Sequence, residues 1–201
     1  MTIVIGLTGG IASGKSVVTQ MLAERGALVI DADKVGHEAY RRDGTGCYDA
    51  VVAAFGPEIV GADGEIDRKA LGARVFGAPE QRKRLEAIVW PWMRETMDRR
   101  LAAIRAEGTP VVVLEAAVLI EADWTPITDQ VWVVTVPPQI ARNRVTERNG
   151  LTAEQADARI AAQLTNAERA RRAQVIIDNS GTLDELKQRV TAEWEKLTAA
   201  V

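Results

Sequence analysis

The chain has 201 residues, one cysteine and a formal net charge of −3, with 47% hydrophobic and 26% charged residues. That length fits one domain, alone or with small appended parts. The lone Cys47 excludes an intrachain disulfide, and the acidic balance gives no reason to expect nucleic acid as a partner.

The first apolar run, Ile3 to Leu7, reads as a strand and leads into glycines, with no secretory leader in its pattern. Gly9-Gly10-Ile11-Ala12-Ser13-Gly14-Lys15-Ser16 then matches G-x-x-x-x-G-K-[ST] in full. Gly9 and Gly14 let the backbone turn where a Cβ would clash. The inward N–H groups of the loop, from Ala12 and Ser13 through Val17, are expected to ring the phosphates of ATP. Lys15 reaches the β- and γ-phosphates, and the Ser16 hydroxyl binds Mg²⁺. A helix from Lys15 to about Arg25 aims its positive end at the same anion.

A second strand, Leu28 to Ile30, is followed at once by Asp31-Ala32-Asp33. Acids placed there face the crevice of an open α/β sheet, although Asp33 also suits the N-cap of a helix starting at Lys34. Residues 31–110 then carry mostly helical pattern, including Gln81 to Ile88 and Met93 to Arg105. This is too long for a simple crossover and reads as an inserted helical subdomain that covers the site. Trp90-Pro91-Trp92 interrupts the helical pattern and reads as a packed corner or an aromatic wall. His37, the only histidine, reads as solvent-facing.

Val111 to Leu114 is the third strand and delivers Glu115 at its end, while Glu121 reads as a surface acid. Either Asp31 or Glu115 can supply the carboxylate that such folds place near the metal. Val131 to Val136 and Val175 to Ile177 complete the strands. Helices are predicted over Pro138 to Arg148, Ala153 to Ala173 and Thr182 to Ala199, the last capped by Thr182 with Glu185 three positions on. The strands do not alternate with polar residues, so they are buried on both faces. The fold class is therefore α/β, with a parallel sheet of the P-loop NTPase type flanked by helices. Ten Lys/Arg against five Asp/Glu between Ile66 and Arg105, and seven Arg against four acids between Gln139 and Arg172, mark two local basic segments.

Taken in order, these residues resemble dephospho-coenzyme A kinase over essentially the whole chain. The resemblance is carried by Ile5 to Ser16, Ile30 to Asp33, Asp67-Arg68-Lys69-Ala70-Leu71, Arg74-Val75-Phe76, Arg144, Arg148-Asn149-Gly150, Ala162-Gln163 and Ile177 to Gly181. Trp90-Pro91 stands where bacterial members usually have His-Pro. Ala116 to Ala122 replaces a proline-leucine-leucine stretch. Both departures are similar to the kinase domain of the animal bifunctional coenzyme A synthase, as are Val52 to Gly56 and Trp124.

The resemblance implies ATP-dependent phosphorylation of the ribose 3′-hydroxyl of dephospho-coenzyme A. It implies a single kinase domain with a core of about 1–32, 108–138 and 173–201, a substrate-binding insertion of about 33–107 and a lid of about 139–172. It makes Asp33 the catalytic base and Arg144 the lid arginine on the phosphates, assisted by Arg148, with Asn179 near the ATP base. A cytoplasmic monomer or weak homo-oligomer is expected, with no membrane partner. Two other readings remain open at this point. One is another small-molecule P-loop kinase, such as a nucleoside monophosphate kinase. The other is a nucleotide-binding regulator without turnover.

Overall fold

The computed structural model describes residues 2–44 and 46–199. The chain divides into two compact units, one of Met1–Ile30 with Ile104–Val201, the other of Asp31–Ala103.

The first unit is built on a sheet of β1 (Ile3–Gly9), β2 (Leu28–Asp31), β3 (Val111–Glu115), β4 (Gln130–Thr135) and β5 (Val175–Asp178), in the order β2-β3-β1-β4-β5. β1 pairs in parallel with β3 and with β4, and β4 pairs in parallel with β5. Leu7 stands opposite Glu115 on one side and Trp132 on the other. Val4, Ile5, Leu7, Val112, Val113 and Trp132 are buried, which accounts for strands without polar alternation. The chain crosses from β3 to β4 on opposite sides of β1. That change of side opens the crevice at the carboxyl ends of the strands where ligands bind in such sheets.

Helices α1 (Lys15–Ala23) and α9 (Leu183–Ala199) join the sheet in one apolar cluster: Val18, Met21 and Leu22 from α1 meet Leu186, Val190 and Leu197 from α9 over Ile5, Val113 and Trp132. Each such aliphatic side chain contributes about 2 kcal/mol by leaving water. α9 starts as its sequence predicts, because Thr182 Oγ1 accepts from the Glu185 amide and Glu185 accepts from the Thr182 amide. Beyond β4 come α6 (Pro138–Asn149), α7 (Ala153–Ala161) and α8 (Asn166–Ala170). The single helix read over Ala153 to Ala173 is thus two. Thr152 with Gln155, and Thr165 with Glu168, each form a capping box, and the second box starts a new helix where the pattern alone would continue the first.

In the second unit, α2 (Ala32–Glu38), α3 (Tyr48–Phe55), α4 (Arg68–Val75) and most of α5 (Pro79–Ala106) surround buried Val35, Val51, Phe55, Leu71 and Met97. α5 runs unbroken through Trp90-Pro91-Trp92, so no corner forms there. Pro91 removes one N–H, and the carbonyl it strands is that of Ala87, four residues back. Both residues are exposed, so the interruption lies on the solvent side of the helix. Val89, Met93, Thr96, Met97 and Leu101 bury the opposite stripe and hold the helix together. His37 is exposed, as its polar surroundings predict. Burial raises the pKa of the Cys47 thiol, which suits a packing residue rather than a nucleophile. Among the described residues no helix is long and apolar enough to cross a membrane.

Glu121 is not a surface acid. It accepts from Arg169 Nη2 at 3.0 Å, and Arg169 is 1% exposed. Burial pulls the guanidinium below its ordinary pKa while Glu121 pulls it back up. Removing one partner of such a pair leaves a buried charge without compensation. Glu121→Ala is expected to lose about 3 kcal/mol, since Glu121 keeps some contact with water. Paired with Arg169→Met, Glu121→Leu should recover most of that loss. Thermal melting of the single and double variants checks this, and a Glu121→Ala chain that melts with the parent would refute the charge argument.

Candidate active site

The site begins where β1 ends. A Cβ on Gly9 would stand 2.5 Å from the Val134 carbonyl oxygen, a backbone atom that cannot swing aside, so only glycine lets the loop leave the sheet here. The turn then passes through two left-handed residues, Ala12 (φ 56°) and Gly14 (φ 94°). Gly14 is also the N-cap of α1. Among the described residues no side chain caps this helix, and its first turn carries no acid. The Val17 and Val18 amides close on the Gly14 carbonyl at 3.1 and 3.2 Å, and a helix N-terminus without a capping side chain or acid is a site for an anion. The Ser13 amide closes the loop on the Gly10 carbonyl at 3.1 Å, and Lys15 Nζ folds back to the Gly9 carbonyl at 3.2 Å.

Three side chains from the distant half of the chain grip consecutive loop residues. Gln163 Oε1 accepts from the Ile11 amide at 2.8 Å. Arg144 Nη1 donates to the Ala12 carbonyl at 3.3 Å, and its Nη2 donates to the Asn179 carbonyl at 3.1 Å. Asn179 Nδ2 donates to the Ser13 carbonyl at 2.7 Å, and Asn179 is 7% exposed.

A cleft of about 680 Å³ opens over this loop, lined by Gly10, Ala12, Ser13, Gly14, Lys15, Ser16 and Val17 together with Arg144, Arg148 and Asn179. The residues read as a nucleotide set therefore lie along one cavity, apart from Gly9, which shapes the loop from behind. Glu147, Gly181, Leu183 and Leu186 complete the lining. None of the four carries a motif of its own, although Gly181 stands in the segment after β5 that the resemblance flagged.

Glu115 ends β3 and accepts from the Thr19 hydroxyl of α1 at 2.7 Å, which ties its carboxylate to the helix that carries Ser16. Ser16 and Glu115 together offer hard oxygen donors of the kind Mg²⁺ takes, in a fold where substrate phosphates supply further ligands.

Asp31 and Asp33 open the second unit, directly beyond β2. Here the expected cap moves by two residues. Asp31 Oδ1 accepts from the amides of Asp33 and Lys34 at 3.0 and 3.3 Å, so Asp31, not Asp33, is the N-cap of α2. Asp33 lies in the first turn and is exposed.

The parallel sheet and the glycine-rich cradle with its lysine, followed by a helix N-terminus, define a P-loop kinase fold. The sequence model of dephospho-CoA kinase matches residues 3–185. The dephospho-CoA kinase of Geobacter sulfurreducens is 50% identical over 193 residues, 96% of this chain and 98% of its own length. A Thermus thermophilus crystal structure is 34% identical with a TM-score of 0.79 and 98% of both chains covered. Dephospho-CoA kinase from Campylobacter jejuni shares the fold at a TM-score of 0.75 and 24% identity, over 100% of this chain and 99% of its own. The chain belongs to the dephospho-CoA kinase family.

The loop geometry makes a direct prediction. Gly14→Ala places a Cβ on a residue at φ 94° and against the Asn179 amide. The left-handed conformation alone costs a residue with a Cβ about 1–2 kcal/mol, so ATP affinity should fall at least about tenfold. Titration calorimetry with ATP checks this, and parent-like affinity would show that the loop does not hold this conformation in solution.

Proposed function

We infer the residue-level course of a single reaction from the phosphate cradle and the family. The reaction is ATP-dependent phosphorylation of dephospho-coenzyme A to coenzyme A, the final step of coenzyme A biosynthesis. The observation that carries this reading is the cleft itself, in which the loop amides, Lys15, Arg144 and Arg148 line one wall set.

In our reading ATP lies along Ala12 to Val17 with its phosphates on the loop amides. Lys15 turns from the Gly9 carbonyl toward the β- and γ-phosphates. Arg144 and Arg148 place planar guanidinium groups on the transferring oxygens, where a fork holds two oxygens and a lysine would hold one. Asn179 flanks the nucleotide and keeps Ser13 in place. Ser16 and Glu115 are the residues that would hold Mg²⁺, which when bound neutralises phosphate charge. Asp31 spends one carboxylate oxygen on the α2 amides, and the other lies 3.7 Å from Lys34 Nζ, so we assign it a smaller share of the metal site.

Asp33 is the base in this scheme. It accepts the proton of the ribose 3′-hydroxyl as that oxygen bonds to the γ-phosphorus and the bond to ADP breaks. The transition state of such transfers is loose, so positioning and charge neutralisation carry most of the rate. Residues 33–107 would then hold the acceptor, and residues 139–172 would act as a lid that excludes water, a competing nucleophile. We infer small-molecule substrates and a monomer or weak homo-oligomer in the cytoplasm.

Two measurements test the reading. Purified chain should convert dephospho-coenzyme A to coenzyme A with ATP, and AMP and adenosine should be poor acceptors. Equal turnover of AMP would move the acceptor assignment to nucleotides. Asp33→Asn should melt within a few degrees of the parent, because the cap is Asp31 and remains. It should still bind ATP, and its turnover should drop by roughly 10² or more, as loss of a general base requires. A stable, fully active Asp33→Asn would remove Asp33 from the chemistry.

A further inference from the structure

Gln163 has no place in the scheme above, yet its side chain reaches the phosphate loop across most of the chain. Its oxygen accepts from the Ile11 amide at 2.8 Å. That amide adjoins Ala12, a non-glycine residue at φ 56°, a conformation that persists only where the surroundings hold it. Arg144 holds the carbonyl of Ala12 and Asn179 that of Ser13. Gln163 supplies a fixed point on the N-terminal side of the strained residue, made to a backbone N–H.

The arm that carries Gln163 is itself anchored. The Gln163 amide donates to the Ile160 carbonyl at 3.2 Å and so closes the end of α7. Arg169 Nη1 donates to the Leu164 carbonyl, and Asn166 Nδ2 donates to the Val136 carbonyl at 2.8 Å. The first ties the Gln163–Asn166 corner to α8, and the second ties it to the segment just beyond β4. A Cβ at Gly10 would lie 3.6 Å from Gln163 Oε1 and 3.7 Å from Arg169 Nη1, so both side chains abut the loop at the residue before Ile11. The alternative is that Gln163 merely fills space beside the apolar cavity of about 360 Å³ that it shares with Ile11 and Val136.

We propose that Gln163 is a positioning residue for phosphoryl transfer: its side-chain oxygen holds the Ile11 amide and thereby fixes the phosphate loop in its ATP-binding form. The proposal rests on the loop's role as the ATP cradle and deepens it. Gln163→Met keeps length and bulk but cannot accept a hydrogen bond of comparable strength, whereas Gln163→Glu keeps an acceptor. In the parent without nucleotide, the Ile11 amide should be protected from hydrogen exchange by NMR. In Gln163→Met that protection should fall and ATP affinity should drop about tenfold, the worth of one hydrogen bond to the loop. Dephospho-coenzyme A affinity should stay level and the melting temperature should stay within a few degrees. Gln163→Glu should retain Ile11 protection.

A parent whose Ile11 amide exchanges freely would overturn the proposal without any variant. So would a Gln163→Met chain with parent-like exchange and ATP affinity, or one that loses stability and both affinities together. Exchange and ATP binding are read without an acceptor. Their failure therefore counts against the Gln163 contact alone, while parent turnover tests the acceptor assignment separately.

Discussion

Everything in the first unit turns on a loop whose own backbone is under strain. Two of its residues sit in the left-handed region, and among the described residues no side chain caps the start of α1 into which it leads. A free segment would relax such a turn and let water take the amides. The loop keeps its shape because the sheet fixes one end at Gly9, α1 fixes the other, and long side chains hold the middle. The cost of the left-handed conformation at Ala12, of order 1–3 kcal/mol, is offset by contacts from Arg144, Gln163 and Asn179. The cradle is therefore a tertiary structure and not a local one. It is complete only when the chain beyond β4 has folded, so affinity for nucleotide reports on the integrity of the whole unit.

The same dependence sorts the arginines. Seven of them fall between Gln139 and Arg172, and as a run they suggest a single basic face. The fold splits them by purpose. Arg142 is clamped by both oxygens of Asp157 at 2.6 Å each, which ties α6 to α7. Arg169 is buried against Glu121. These two hold the segment together, while Arg144 and Arg148, on the same helix as Arg142, line the cleft. A paired guanidinium is neutralised by its own carboxylate. Such pairs build the frame without adding net charge beside the phosphates.

How much of this the sequence carries depends on the range of the interaction. The phosphate loop is legible because its chemistry is local: eight consecutive residues state the glycine turns, the lysine and the hydroxyl. The strands are legible because burial on both faces leaves an unbroken apolar run, and the Thr182–Glu185 box is legible because its partners are three residues apart. The contacts of Gln163 and Asn179 with the loop span 152 and 166 residues; the resemblance marks both segments and puts Asn179 near the ATP base, but no local pattern states either contact. The split of residues 153–173 is not legible in the sequence, because helical periodicity on both sides outweighs the single capping pair of Thr165 and Glu168. Pro91 misleads in the opposite sense. A proline mid-pattern ordinarily ends a helix, but here Ala87 and Pro91 lie on the exposed side and the apolar stripe of α5 continues past them.

The acids after β2 show how one residue's structural task defines its neighbour's freedom. Ile30-Asp31-Ala32-Asp33 offers two carboxylates, and α2 needs only one cap. Asp31 is the residue with extended backbone (φ −94°, ψ 108°), the conformation an N-cap requires, and its oxygen turns back onto the amides of Asp33 and Lys34. Asp33 follows with helical backbone, so its side chain cannot cap the same end and is left exposed. A carboxylate that fixes a helix terminus accepts hydrogen bonds continuously from amides that never leave. A carboxylate that takes a proton from a substrate must be free of such donors until the substrate arrives. The backbone conformation of the first acid alone assigns the cap to Asp31, and that leaves Asp33 as the carboxylate available for the role proposed above.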